Sequence, residues 1–145
     1  MFAQRLRVAK AKLGRFLTEL ARGAEALRDR LRIENDSETR GLKLLREWLS
    51  PEQLAQYDAG SYFDVTGSDS GKRYRIHHGA SMNVHEIDGV GRPRVGWCFV
   101  PNADLAAGDV MLAQKIALET DERGALAVAK KFVPNDTQPN IFVHL

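Results

Sequence analysis

This sequence of 145 residues contains a single cysteine, Cys98, and no long apolar run. One cysteine cannot form a disulfide within the chain, which indicates a reducing compartment or indifference to redox state. No stretch approaches the roughly 18 apolar residues that a membrane-spanning helix needs. Residues 1–20 also lack the apolar segment of a secretory signal. We therefore expect a cytoplasmic protein without a transmembrane segment.

The sequence also lacks the residue spacings that mark most catalytic and metal sites. Residues 67–72 (GSDSGK) resemble a phosphate-binding loop. However, only three residues separate the glycines and arginine follows the lysine, so a polar hairpin turn is the better interpretation. No nucleophile elbow, Cys-His signature or i, i+4 ligand pair is present. We predict no metal and no cofactor, and we favour a non-catalytic protein over an enzyme.

Acidic residues are absent from the first 18 positions, and the charge of the chain is therefore uneven. Residues 1–33 carry nine Lys or Arg against three acids, a net charge of +6. Residues 34–145 carry twelve against sixteen, a net charge of −4. Such a division indicates that the N-terminal segment meets something acidic, namely nucleic acid, a lipid surface or the rest of the chain.

The first 34 residues do contain a strong helical pattern. Leucines recur every seven residues, and Phe2, Ala9, Phe16 and Gly23 interleave with them in a heptad seam. We predict a long amphipathic basic helix over residues 1–34 that serves as an oligomerisation arm. Its predicted interface consists of Leu6, Leu13, Phe16, Leu20 and Leu27. An ordinary helix that covers the rest of the domain is narrowly the favoured interpretation of the pattern itself, whereas insertion into a lipid surface is less favoured.

Residues 35–132 are predicted to form an α+β domain. A break at residues 35–37 precedes a helix over 41–49, and residues 50–53 (SPEQ) predict a capping box that starts a short helix. Four stretches of alternating polarity predict a four-stranded antiparallel β-meander packed on helices. The strands are expected near residues 63–66, 72–78, 82–87 and 94–100, with Phe63, Tyr74, Ile76, Val84, Trp97 and Phe99 facing the core.

Two further helices are expected after the sheet, over residues 110–120 and 125–132. Asp109 is the predicted N-cap of the first of them. Residues 133–145 read as an extended C-terminal tail, because they contain two prolines and no helical period. The apolar run at residues 141–143 is suited to pairing with a sheet edge, either its own or a neighbour's.

The outward face of the predicted sheet offers one candidate ligand site. By strand alternation it should present Arg73, Arg75, His77, Asn83 and His85. Such a basic, hydrogen-bonding surface is suited to a phosphate or a carboxylate. A solvated strand face is the favoured alternative, and two histidines across one hairpin are too few to predict a metal.

Several tracts of the sequence are similar to small, uncharacterised bacterial and phage-associated proteins. These tracts are residues 49–53 (LSPEQ), 67–69 (GSD), 74–76 (YRI), 83–84 (NV), 98–101 (CFVP) and 108–115 (GDVMLAQK). The resemblance covers residues 42–132. It implies a bacterial cytoplasmic setting and no particular activity or site.

Together these patterns predict a non-catalytic interaction or assembly module. We expect it to form homo-oligomers through the N-terminal helix. Alternatively, the same helix binds a different helical protein. The first alternative is a nucleic-acid-binding accessory protein that uses the basic helix. The second is a small enzyme with a site near the hairpins of residues 67–85.

Overall fold

The computed structural model describes residues 2–101 and 103–135, apart from the side chains of Phe2, Ala3, Arg5 and Leu6. The chain divides into two compact units, Met1–Ser37 and Glu38–Leu145. The first element, helix α1, comprises Phe2–Trp48. None of the described helices is long and apolar enough to cross a membrane.

Helix α1 continues through residues 35–37, where we predicted a break, and through Gly41, where we expected a second helix to begin. This prediction was wrong. Asn, Asp and Ser favour the start of a helix but do not force one, and no proline lies between residues 2 and 48. Within the second unit, Gly41 is also a packing residue, because a Cβ on Gly108 would collide with the Gly41 backbone.

Helix α2, Pro51–Gly60, forms where the local sequence predicts it. The Ser50 hydroxyl accepts a hydrogen bond from the Gln53 backbone N–H at 3.2 Å. The Gln53 side chain in turn accepts from the Ser50 N–H at 3.1 Å, which completes the predicted capping box. The helix ends at Gly60 and is capped by Ser61, which has a left-handed conformation (φ 55°) and donates its N–H to the Tyr57 carbonyl.

A five-stranded antiparallel sheet packs against the helices of the second unit. Its strands are β1 (Tyr62–Thr66), β2 (Arg73–His77), β3 (Val84–Ile87), β4 (Pro93–Cys98) and β5 (Lys130–Phe132), in the order β1-β2-β3-β4-β5. The predicted α+β class with an antiparallel meander is therefore confirmed, with five strands instead of four. The fifth strand lies where we expected the end of a helix, and its three residues are too few to show an alternating pattern.

Helices α3 (Ala107–Thr120) and α4 (Glu122–Val128) connect β4 to β5. Helix α3 begins three residues before the predicted start, and its N-cap, Ala106, has no side chain that can accept a hydrogen bond. The carboxylate of Glu38 on α1 accepts from the Ala107 N–H instead, at 3.2 and 3.3 Å. A long-range contact thus replaces the local cap that we predicted at Asp109.

The hydrophobic core lies between the inner face of the sheet and the helices of the second unit. The predicted inward residues of the strands are buried, and Phe99 packs half-buried against them. Leu45 from α1, Leu49 directly after α1, and Met111 and Leu118 from α3 complete this core. The inner face of the sheet is therefore fully engaged in the core.

Candidate functional site

The N-terminal part of α1 exposes an unusual amount of apolar surface. Every residue from Arg7 to Asp36 is exposed. Six large apolar side chains among them share one side of the helix, and we call them the apolar stripe: Leu13, Phe16, Leu17, Leu20, Leu27 and Leu31. Each of these six side chains is between 55% and 59% exposed. The exposed Val8 and Ile33 lie away from this side. Leu6, which we also predicted at the interface, has a side chain outside the described set.

A continuous apolar stripe of this kind is characteristic of an interaction surface. Isolated apolar side chains on a surface need no explanation, but contiguous ones mark sites of association. The helix also owes little of its stability to intrinsic propensity, so covering the stripe would stabilise it. Cationic side chains such as Arg7, Lys12 and Arg15 are exposed along the same segment.

The outer face of the sheet carries a second candidate surface. Strand register aligns Asp64, Arg75, His85, Gly96 and Phe132 directly across all five strands, and we call this set the outer-face row. Asp64 accepts hydrogen bonds from Arg75 Nε at 2.8 Å and from Arg75 Nη2 at 3.1 Å. Arg73 donates to the same carboxylate at 2.6 Å. Both predicted anion-binding arginines are therefore already engaged by one carboxylate, and an external anion would have to compete with it.

Aromatic rings extend along this face. The rings of Tyr62 and His77 lie 6.0 Å apart, those of His77 and His85 4.8 Å, and those of His85 and Phe132 5.6 Å. The Arg75 guanidinium lies 4.0 Å from the centre of the Tyr62 ring, a cation–π contact. Gly96 is required here, because the Phe132 ring occupies the space that a Cβ would take.

The two histidines of this face are uncharged at neutral pH. Burial, and after it charge repulsion from the neighbouring His85 and Arg75, lowers the pKa of His77 to about 4. Burial, followed by Arg75, also lowers the pKa of His85. They therefore add no positive charge for an anion. Among the described residues, no group of three or more His, Cys, Asp or Glu side chains is placed to hold a metal ion.

Asn83, the remaining predicted ligand residue, does not lie on the outer face. It is buried and exchanges two hydrogen bonds of 2.9 Å with Gln114 of α3. Its amide also donates to the carbonyls of His77 and Gly79. We assumed that the strand began at Met82, but Met82 has a left-handed conformation (φ 50°) that breaks the alternation before β3. Asn83 thus connects the sheet to α3.

A buried carboxylate that the sequence did not reveal links α4 to the first hairpin. Glu122 accepts from the backbone N–H groups of Asp69 and Ser70 at 2.8 and 2.7 Å, and from the hydroxyls of Ser70 and Tyr74 at 2.5 Å. Burial alone would raise the pKa of Glu122, but these hydrogen bonds outweigh it and lower the pKa to about 2. A carboxylate saturated with donors in this way is a structural anchor and a poor proton acceptor.

The clefts of the second unit include a polar one and an apolar one. A polar cleft of about 420 Å³ is lined by Ser50, Glu52, Gln53, Gln56, Asp64, Val65, Thr66 and Glu119. An apolar cleft of about 270 Å³ is lined by Phe99, Val100, Pro101, Leu105, Val110, Ala113, Gln114 and Ala117. His77 and His85 line neither cleft, so neither provides the concave site that the small-enzyme alternative requires.

Comparison with known proteins returns no relatives: no family model, curated protein or solved structure matches the chain. The resemblance to small bacterial and phage-associated proteins therefore stays a prediction. The apolar run at residues 141–143 lies outside the described residues.

Proposed function

We propose that this protein is a non-catalytic assembly module that associates with a second copy of itself through the N-terminal part of α1. The observation that carries the proposal is the exposure of the whole apolar stripe on a helix. A leucine seam of this kind is suited to knobs-into-holes packing against another helix with the same repeat. A second copy of the chain supplies such a helix.

The size of the stripe is compatible with reversible association. Burying the exposed half of these six large apolar side chains on both copies would contribute roughly 9–18 kcal/mol. The loss of translational and rotational freedom on association costs about 4–15 kcal/mol. Because these magnitudes are similar, we expect an assembly that depends on protein concentration and not a permanent dimer.

The experiment that tests this function is sedimentation analysis of the full chain over a range of concentrations. We expect the apparent mass to rise with concentration for the wild-type protein and to stay monomeric for Leu20→Glu, which places a charge in the stripe. The matched control is Thr18→Glu, because position 18 is exposed on the opposite side of the helix. A wild-type protein that stays monomeric throughout, or equal losses for the two variants, would reject the proposal.

A second candidate function, nucleic-acid binding, is favoured by the exposed cations. Arg7, Lys10, Lys12 and Arg15 are all exposed in a segment without acidic residues. Phosphate contacts from such a segment would weaken steeply as salt increases. Gel-shift titrations of the full chain against single- and double-stranded DNA and RNA at low salt provide the test. Absence of binding to all of these would exclude this candidate.

A further inference from the structure

The charges of the exposed helix are divided along its length. Residues 2–18 contain five basic and no acidic residues, a net charge of +5. Residues 19–36 contain four basic and five acidic residues, a net charge of −1. All five acids therefore lie in the second half, and the described side chains of both halves are exposed. The relative direction of two such helices decides which halves meet.

A parallel pairing in register would be unfavourable at several positions. Each seam residue would face the same residue of the second copy. Gly23 would then face Gly23 and leave a gap in the seam, and Arg30, seven residues further on, would face Arg30. The +5 halves would also lie side by side. Like charges and unfilled space both weaken a helical interface.

We propose that the two copies pair antiparallel, with Leu13 of one copy packed against Phe16 of the other. This inference rests on the proposed self-association and specifies its geometry. The two-fold symmetry of a dimer gives the Leu13–Phe16 contact twice, at the centre of the pairing. In the same register Ala9 lies opposite Leu20, so a small side chain meets a large one.

The charges fit the same register. Lys12 and Glu19 each precede a stripe leucine by one residue, so both flank the seam on the same side. In the antiparallel pair, Lys12 of each copy lies beside Glu19 of the other, which forms two ion pairs next to the central contact. Residues 2–10 of each helix, which contain no acid, then meet residues 19–27 of the other, which contain Glu19 and Glu25. Gly23 and Arg30 no longer face their own copies.

Charge reversal in the full chain tests the pairing directly. Lys12→Glu and Glu19→Lys should each weaken dimerisation roughly tenfold when measured alone, because each reversal converts two attractions into repulsions. Mixing the two variants should restore association to the wild-type level, since both ion pairs re-form in the mixed dimer. Glu25→Lys makes the same charge change as Glu19→Lys, but at a position away from the seam. It should therefore alter dimerisation less than about twofold. A mixture no stronger than its separate components would overturn the pairing.

Cross-linking separates failure of the orientation from failure of self-association. In a Cys98→Ser background, Lys12→Cys and Glu19→Cys proteins are oxidised separately and together. Antiparallel pairing predicts a disulfide mainly between the two different proteins, whereas in a parallel pair positions 12 and 19 of the two copies lie on opposite sides of the seam, so no preference for the mixed disulfide is expected. If the wild-type chain associates but the mixture shows no such preference, the antiparallel inference is wrong and the assembly function stands. If the wild-type chain does not associate, the assembly function itself is wrong.

Discussion

The two units of this chain differ in how far their apolar and charged groups are buried. In the second unit, Leu45 is fully buried and the Glu122 carboxylate is surrounded by four donors. In the first unit, stripe residues such as Leu13 and Leu27 stay more than half exposed. The second unit therefore has a core and a buried polar anchor of its own, whereas the first presents a surface that a partner could cover. We expect stability to depend on the second unit and association on the first.

The largest effect should come from Glu122. Replacing it by alanine leaves the Tyr74 hydroxyl and two hairpin N–H groups without their acceptor, and we expect a loss of about 3–5 kcal/mol in the free energy of unfolding. Denaturant unfolding followed by near-ultraviolet circular dichroism measures this loss.

Glu47→Ala is the matched control, because it removes the same charge from an exposed position in the same unit. It should change the free energy of unfolding by less than about 0.5 kcal/mol. Comparable effects of the two substitutions would mean that the hydrogen bonds of Glu122 contribute little. The second unit would then have no polar anchor at this position.

The next largest effect compares two neighbouring leucines of α1. Leu45 is fully buried and Leu44 is 42% exposed. We expect Leu45→Ala to lower the free energy of unfolding by about 2–4 kcal/mol, because it leaves a cavity in the core. Leu44→Ala should cost less than about 1 kcal/mol. Equal losses would show that the end of α1 packs in another way than the structure indicates.

Local patterns predicted most of the second unit. Alternating polarity identified four strands, and the residues 50–53 capping box identified α2. Strand β5 was missed because three residues carry no period, and its pairing with β4 comes after two intervening helices. The helix break was wrong since capping residues favour but do not dictate a helix start.

The candidate sites were less predictable, because they depend on contacts between distant parts of the chain. Alternation correctly placed Arg75 and His85 on one face, but not the Asp64 carboxylate that engages Arg75. Simple hairpin register could have suggested that pair. Glu122 offered no such signal, since its partners lie about fifty positions earlier in the sequence. Long-range polar contacts of this kind require the folded structure.

A smaller effect should appear in the pH dependence of stability. Burial first, then His85 and Arg75, lowers the pKa of His77 from 6.5 to about 4 in the folded protein. The unfolded chain therefore binds the proton at a higher pH than the folded chain does. The contribution of His77 to stability is complete above pH 6.5 and is lost as the pH falls from 6.5 towards 4.

Unfolding of the wild-type protein and His77→Gln at pH 7 and pH 5 tests this dependence. The wild-type protein should lose more stability between these values than the variant does, because glutamine does not titrate. Titration of the other groups is largely common to both proteins. A variant with the same pH dependence would indicate that His77 is more solvated than its position beside His85 implies.

The smallest expected effect belongs to the stripe. At protein concentrations where the chain is monomeric, Phe16→Ala should change the free energy of unfolding of the second unit by less than about 0.5 kcal/mol, because Phe16 is 57% exposed. At concentrations that favour association, the Phe16→Ala variant should have a lower apparent stability than the wild-type protein. The wild-type assembly gains stability by mass action, because association stabilises the folded form. A loss above about 2 kcal/mol in the monomer would be typical of a buried aromatic ring. That result would favour an ordinary domain helix over an oligomerisation arm.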